Sequence, residues 1–290
     1  MNDYLIYTDA SADIAPEIVS NYDIRFVAMN YTVGAEERLC ASLETPEFLK
    51  GFYDAQRAGK ETHTSQITPH FYVETFAPLL AAGQSVLYLS LSSGLTKTFD
   101  SVNLAAAELA EEYSRDKVVA VDSLCATGGM GLLLEAAAHN REAGLSIDEN
   151  AAWLNEHRQD VVHWFMVDNL MYLKRGGRIP ATTAVLGTAL NIKPLLKIDG
   201  EGHLITLEKK RGYKLALKEL SAKYAAARDA GHNRVYIVHG DCPDHADELE
   251  QLVLAVNPQA EITKMLLCPI IGAHTGPGMA AVIFFGNRSL

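Results

Sequence analysis

Residues 85–123 read SVLYLSLSSGLTKTFDSVNLAAAELAEEYSRDKVVAVDS, and their pattern decides the fold class. Ser85–Ser90 is an apolar run of strand length, followed by the polar turn Ser92-Ser93-Gly94. From Thr98 to Tyr113 the apolar residues recur at helical spacing, with Ala105, Ala106, Ala107, Leu109 and Ala110 offering a small-residue packing surface. Lys117–Val121 is a second strand, ending at Asp122-Ser123. A strand, a helix and a strand in this order make a crossover unit, which sets the two strands parallel and is almost always right-handed.

The same alternation extends toward the N-terminus. Tyr4–Thr8 predicts a strand ending at Asp9, and Ile24–Asn30 a second one. Thr45 can cap a helix, Pro46 suits its first turn and Glu47 its positive end, so a helix is predicted to about Ala58, stopped by Gly59. After the polar run Thr62–Thr68, Pro69 leads into a helix ending near Ala82-Gly83, and Gly128-Gly129-Met130-Gly131 opens another that runs to about Gly144. This implies an α/β fold with a mostly parallel sheet and flanking helices. Ligands in such sheets bind beyond the strands' carboxyl ends. Asp9-Ala10-Ser11, Ser92-Ser93-Gly94 and Asp122-Ser123 all fall there and would form one polar rim if their strands are neighbours.

Beyond Gly144 the pattern changes. Helices are predicted over Ile147–Arg158, Ala184–Leu190, Tyr213–Ala227 and Ala246–Val256, with strands over Trp164–Val167, Pro194–Ile198, Val235–His239, Glu261–Leu267 and Ala280–Phe285. Asp199-Gly200-Glu201-Gly202 would turn the chain so that Leu204–Leu207 pairs back as a hairpin. Hairpin and crossover signals together predict a mixed sheet, and hence two domains, 1–145 and 146–290. Length agrees: 290 residues suit one large domain or two ordinary ones.

Composition limits the function. Apolar residues are 48% and charged residues 21% of the chain, as in a folded protein with a substantial core. The formal net charge of -11 disfavours nucleic acid and anionic surfaces except where positive charge is concentrated. Cys40, Cys125, Cys242 and Cys268 form no CxxC pair, which argues against a disulfide framework and a cysteine zinc site. Met1-Asn2-Asp3-Tyr4 shows no basic leader, and the apolar run Met265–Ala273 is too short to span a bilayer, so a cytoplasmic protein is expected.

Four polar groups stand out. Thr64 and Ser65 precede one helix and Thr96 and Thr98 another; such hydroxyls either cap the helix or bind an anion. Lys174, Arg175 and Arg178, interleaved with Gly176 and Gly177, form a basic cluster that either faces water or pairs with phosphate, carboxylate or a partner protein. His274 begins the turn His274-Thr275-Gly276-Pro277-Gly278 after a predicted strand, as a structural residue or a hydrogen-bond donor. Asp9, Asp13 and Asp122 could together hold Mg²⁺, though nothing in the sequence makes them converge. Gly128-Gly129-Met130-Gly131 lacks the dinucleotide fingerprint and reads as close helix packing. No nucleophile elbow, Walker A or zinc-protease motif is present, and no cofactor, resident metal or catalytic residue is predicted.

Taken together, Tyr7–Asp13, Thr64-Ser65-Gln66, Ser92–Thr98, Val121-Asp122-Ser123, Leu173–Ile179 and His274–Gly278 resemble, in order, the motifs of the DegV family of bacterial fatty-acid-binding proteins, which includes the lipid-binding subunits of fatty acid kinase. The resemblance covers nearly the whole chain. It implies a two-domain α/β fold that buries the acyl chain of a long-chain fatty acid and holds its carboxylate through hydroxyls and a histidine. Thr64 matches the first hydroxyl position, Thr96 the second, and His274 the histidine; Ser65, Ser92 and Ser93 are neighbouring donors. Arg175 and Arg178, with Lys174, match residues linked to a kinase partner and phosphate. By the same resemblance the chain would present its ligand to a separate ATP-dependent kinase subunit, with transient membrane contact, and would not be a self-sufficient enzyme. The alternative is an enzyme acting directly on a small carboxylate or phosphate compound. Two positions depart from the family: Lys97 stands where glycine is usual, and Ile67 where proline is usual.

Overall fold

In a computed structural model, residues 4–113, 117–180, 182 and 191–290 are described. The helix expected over 184–190 lies outside them. The first half contains β1 (Tyr4–Asp9), α1 (Pro16–Tyr22), β2 (Ile24–Val27), β3 (Met29–Val33), β4 (Glu36–Cys40), α2 (Pro46–Arg57), β5 (Thr62–Thr64), α3 (Pro69–Ala81), β6 (Ser85–Ser90), α4 (Thr98–Glu112), β7 (Val118–Asp122) and α5 (Gly128–Glu142). The four-stranded sheet β2-β1-β6-β7 is parallel throughout. Its adjacent strands β1, β6 and β7 bring the three polar turns to one edge, as the crossover pattern implied. Thr45 caps α2 through its hydroxyl as expected, with proline next, and Thr68 does the same for α3.

The second half contains α6 (Ile147–His157), β8 (Val161–Met166), α7 (Met171–Arg175), β9 (Ile192–Ile198), β10 (Leu204–Arg211), β11 (Arg234–His239), β12 (Glu261–Leu266) and β13 (Ala280–Phe285), with further helices Tyr213–Ala227, Pro243–Val256 and Pro269–Thr275. Its sheet runs β10-β9-β8-β13-β11-β12 and is mixed, with β11 and β12 parallel and the other pairs antiparallel. The fold is therefore α/β, with one parallel and one mixed sheet. The strands of the parallel sheet all precede residue 145 and those of the mixed sheet all follow it, while α6 packs on β6 and β7.

Two expectations need correction. Ile24–Asn30 is not one strand: the chain breaks at Ala28, and β3 leaves the parallel sheet to form the three-stranded antiparallel sheet β4-β3-β5. His274 does not follow a strand directly; it lies in the helix Pro269–Thr275, opened by a proline and ended by Gly276 at φ +72. In the basic cluster, Lys174 and Arg175 close α7.

Helix α5 lies between the parallel and mixed sheets, and its glycine-rich start explains how closely they approach. A Cβ on Gly129 would stand 1.9 Å from Nε2 of His163 in β8, and one on Gly131 would stand 2.3 Å from the carbonyl oxygen of Asp13. The main core continues through this contact, from Ile6 and Leu87 in the parallel sheet to Phe165 and Ile283 in the mixed one.

Near the C-terminus, Arg288 is 5% exposed and spends all five N–H groups on the protein. Nε donates to the carbonyl oxygen of Val161, Nη1 to those of Leu124 and Asp199, and Nη2 to that of Arg158 and to Sγ of Cys125. The side chain thus ties the loop after β7 to β8 and to the β9–β10 turn. Arg288→Met keeps much of the stem but strands several buried acceptors, and should lower the free energy of unfolding by at least about 3 kcal/mol in chemical denaturation. A loss below about 1 kcal/mol would show that water or neighbouring groups replace the guanidinium.

Candidate functional site

Between the carboxyl edge of the parallel sheet and the inner face of the mixed sheet lies a cavity of about 540 Å³, within the range of roughly 300–1,000 Å³ usual for small-molecule sites. Apolar residues from both halves line much of it, among them Met29, Phe165, Leu173, Ile198, Ile270, Ile271, Met279 and Ile283. Thr64, Ser65, Gln66, Ser93, Thr96, Lys97, Arg178 and His274 also line it, and hydrogen bonds within and around this set tie the elements that carry them together.

The set is assembled from distant parts of the chain. Thr64 ends β5, opposite Tyr31 of β3. Next to it, Thr62 donates its hydroxyl to the carbonyl oxygen of Ala273 at 3.1 Å, and Gln56 donates to that of Gly272 at 3.0 Å. These bonds dock the helix Pro269–Thr275 against β5. They bring Nε2 of His274 to 2.8 Å from the Thr64 hydroxyl. Nδ1 of His274 is buried and without a hydrogen-bond partner among the described residues. Gly176 covers it: a Cβ there would stand 2.1 Å from Nδ1. Reciprocally, a Cβ on Gly276 would enter the ring of Tyr172 at 2.4 Å. Burial, then the neighbouring Arg178 and His63, push the His274 imidazolium down to about 3, so the ring is neutral across the physiological range.

The expected hydroxyl residues occupy different places. Ser93 lines the cavity, and its hydroxyl makes no hydrogen bond among the described residues, while its N–H is held by Asp122 at 3.1 Å. Thr96 lines it too, with its oxygen 2.9 Å from the Thr98 hydroxyl. Ser65 lines the exposed rim. Ser92 is fully buried outside the lining; it donates to the carbonyl oxygen of Gly202 at 2.9 Å and accepts from Gly94 N–H at 3.1 Å, pinning the β9–β10 turn to the serine loop. Gln66 donates to the carbonyl oxygen of Lys97 and to the Ser101 hydroxyl, joining the Thr64 and Thr96 segments. Lys97 itself is exposed beside Asp100, and Ile67 is buried in the core.

The basic cluster divides. Arg178 turns inward, half-buried, donating from Nε to the carbonyl oxygen of Leu95 and from Nη1 to that of Gly176; Nη2 makes no hydrogen bond among the described residues. Burial lowers its pKa. Arg175 is exposed, over the ring of Tyr172 and 3.5 Å from Glu61, and Lys174 lies partly exposed in the same helix. Sequence reasoning missed Gly176 as the seat of His274, Gln66 as a tie and Thr127 as a lining residue. Gln66 shares a polar run with Thr64 and could have been found; the partner of Gly176 has no local signal. Asp9 and Asp13 are buried and bonded to internal donors, Asp122 holds backbone N–H groups, and the described residues contain no metal-capable cluster of three or more such side chains. Nor, among them, is any helix long and apolar enough to cross a membrane.

The sequence model of the DegV family matches residues 4–287. A DegV domain-containing protein of Clostridium perfringens is 34% identical over 288 residues, 99% of each chain. Among solved structures, the fatty-acid-binding DegV family protein of Thermus thermophilus is 28% identical, with a TM-score of 0.83 over 98% of this chain and 99% of that one. The B3 protein of the Streptococcus pneumoniae fatty acid kinase, loaded with linoleic acid, is 20% identical with a TM-score of 0.83 over 98% and 99%, a likeness of fold alone.

Burial also pushes His163 down to about 3. Two of the ten histidines, His163 and His274, should therefore stay neutral in an NMR titration down to about pH 4. Because their folded values lie below the ordinary value, unfolding takes up protons at these two rings as pH falls below about 6.5, and their contribution to stability should fall from there toward about pH 3. Protonation of either ring near pH 6 in the folded protein would contradict the seating of these side chains.

Proposed function

The chain belongs to the DegV family, and on that footing we propose that it binds a long-chain fatty acid, carboxylate at the Thr64–His274 pair and acyl chain along the apolar lining. One observation carries the reading: a hydroxyl–histidine pair and a half-buried arginine face an otherwise largely apolar cavity. The tail would supply most of the affinity, at about 0.8 kcal/mol per buried methylene. An unpaired carboxylate would cancel much of that gain, so the head group needs donors.

The neutral His274 suggests how they are arranged. A proton on Nε2 makes the ring a donor to Thr64 and leaves the covered Nδ1 as a bare lone pair. The Thr64 hydroxyl hydrogen is then free for a ligand oxygen. Ser93 and Thr96 are the proposed second donors, Ser65 a donor at the rim, and Nη2 of Arg178 the charge partner. Ser92 in this reading acts through the loop it pins. Lys174 and Arg175, facing outward, are assigned to a partner protein or phosphate. That assignment rests on the family resemblance, in which a separate kinase subunit supplies ATP and this chain presents the acid.

Mass spectrometry of lipid released from the denatured protein tests the ligand class, and calorimetry with palmitate on delipidated protein tests the site. Thr64→Val should weaken palmitate binding by about 10- to 150-fold, the equivalent of a lost hydrogen bond to a charged group at roughly 1.5–3 kcal/mol. Arg175→Ala, at an exposed position, should change it by less than about threefold. Absence of any released or added acyl ligand would sink the proposal; unchanged affinity in Thr64→Val would move the head group elsewhere.

A further inference from the structure

Asp13 lies between β1 and α1, is 3% exposed and does not line the cavity. Its carboxylate nevertheless joins two of the cavity's walls. Oδ2 accepts the hydroxyl of Thr127, the lining residue at the N-cap position of α5. Oδ1 accepts the N–H of Cys268 at 3.0 Å, the cap of the helix Pro269–Thr275. That helix supplies Ile270, Ile271, His274 and Thr275 to the cavity. One acid therefore stands at two helix N-termini, where unpaired N–H groups concentrate positive potential. Thr127 holds φ +48 and ψ −127, a costly conformation for a β-branched residue, and its bond to Asp13 helps to hold it there.

No cation offsets the acid: Asp13 has no ion-pair partner among the described residues, and burial raises it to about 7 against the opposing hydrogen bonds from Thr127 and Cys268. The titratable groups facing it are the thiol of Cys40 at the end of β4, the hydroxyl of Tyr53 on α2 and the thiol of Cys268. Burial pushes Cys40 up to about 12 and raises the other two, so all three are neutral where Asp13 titrates.

We propose that Asp13 is a positioning residue: by bridging the N-termini of α5 and of the helix Pro269–Thr275, its carboxylate sets the spacing of the cavity walls and so the affinity for the acyl ligand. The proposal rests on the fatty-acid reading above. Ionised, Asp13 accepts both bonds, and charge strengthens them. Protonated, one oxygen becomes a donor, Thr127 must turn its hydrogen elsewhere, and the wall loosens. Affinity accordingly falls as pH drops through the titration of Asp13. Stability follows the opposite sign. With a folded value above the ordinary one, the contribution of Asp13 is complete below about pH 4 and is lost as pH rises through about 7.

The test is calorimetry with palmitate on delipidated protein from about pH 5.5 to about pH 8.5, comparing the natural chain with Asp13→Asn and Thr127→Val. In the natural chain the dissociation constant should rise severalfold toward low pH. Asp13→Asn should flatten that rise. Should Asp13→Asn fail to fold, Thr127→Val still decides: removing a donor that favours the charged acid must move the midpoint to higher pH. A parallel profile in Asp13→Asn, or an unmoved midpoint in Thr127→Val, overturns the proposal while leaving fatty-acid binding intact. Failure of the natural chain to bind palmitate at any pH overturns the fatty-acid reading and this proposal together. Thermal unfolding reads the same acid without ligand: relative to Asp13→Asn, the natural chain should lose stability as pH rises from about 4 through about 7.

Discussion

A single carbon added at position 176 would stand 2.1 Å from Nδ1 of His274, and the polar end of the cavity is organised around that close approach. The imidazole is trapped between the backbone of the basic motif on one side and the Thr64 hydroxyl on the other. It cannot swing toward water to gain a proton, and burial beside Arg178 keeps it neutral. The glycines of the basic motif therefore have a geometric purpose apart from any partner. Gly176 seats the ring, and Gly177, at φ +71, turns the chain so that Arg178 points back into the cavity while Arg175 stays outside. A motif that reads as one charged cluster is divided by its two glycines into one inner cation, Arg178, and two outer ones, Lys174 and Arg175.

The docking of the helix Pro269–Thr275 depends on the same logic of small residues and buried polar bonds. Gln56 and Thr62 satisfy carbonyls in its last turn, and Asp13 receives the N–H at its start. Both ends of a helix of only seven residues are thus secured by side chains from the first half of the chain. So short a helix gains little from its own propagation and depends on tertiary contacts. The cavity is accordingly a property of the joined halves: β8 and β13 supply apolar floor, while β5 and the serine loop supply donors.

How much of this could be read from the sequence follows from how local each signal is. The strands β1, β6 and β7 announce themselves as apolar runs ending in polar turns, and their adjacency follows from crossover geometry, so the rim was legible. The break at Ala28 was not: Ile24–Asn30 is continuously strand-like, and the parting of β2 from β3 is decided by pairing with Thr62–Thr64, far along the chain. Pro269–Thr275 carries an interior glycine and is mostly apolar and buried, so it has no periodicity to reveal a helix. Thr64 and His274 were legible as chemistry and as family motif positions, but not as a hydrogen-bonded pair. Ser92 and Ser93, adjacent and identical in type, differ because Gly202 packs against only the first; nothing local separates them.

The charge of the site bears on how an acidic protein could hold an anion. At a net charge of -11 the chain's field opposes a carboxylate from afar, although salt screens it beyond about 8 Å. Attraction must therefore act at short range. Two adjacent cations in a half-buried pocket would lack solvation and repel each other; burial first, and Arg178 after it, keep the proton off His274. One arginine surrounded by neutral donors avoids it. Hydroxyls and a neutral imidazole carry no net charge to solvate when the pocket is empty, yet each can turn a hydrogen toward an incoming oxygen. In the proposed complex one ligand charge then meets one protein charge, and the remaining lone pairs of the carboxylate are satisfied by dipoles. Neither the free nor the bound state then leaves an uncompensated pair of like charges in the pocket, so binding and release meet no such penalty.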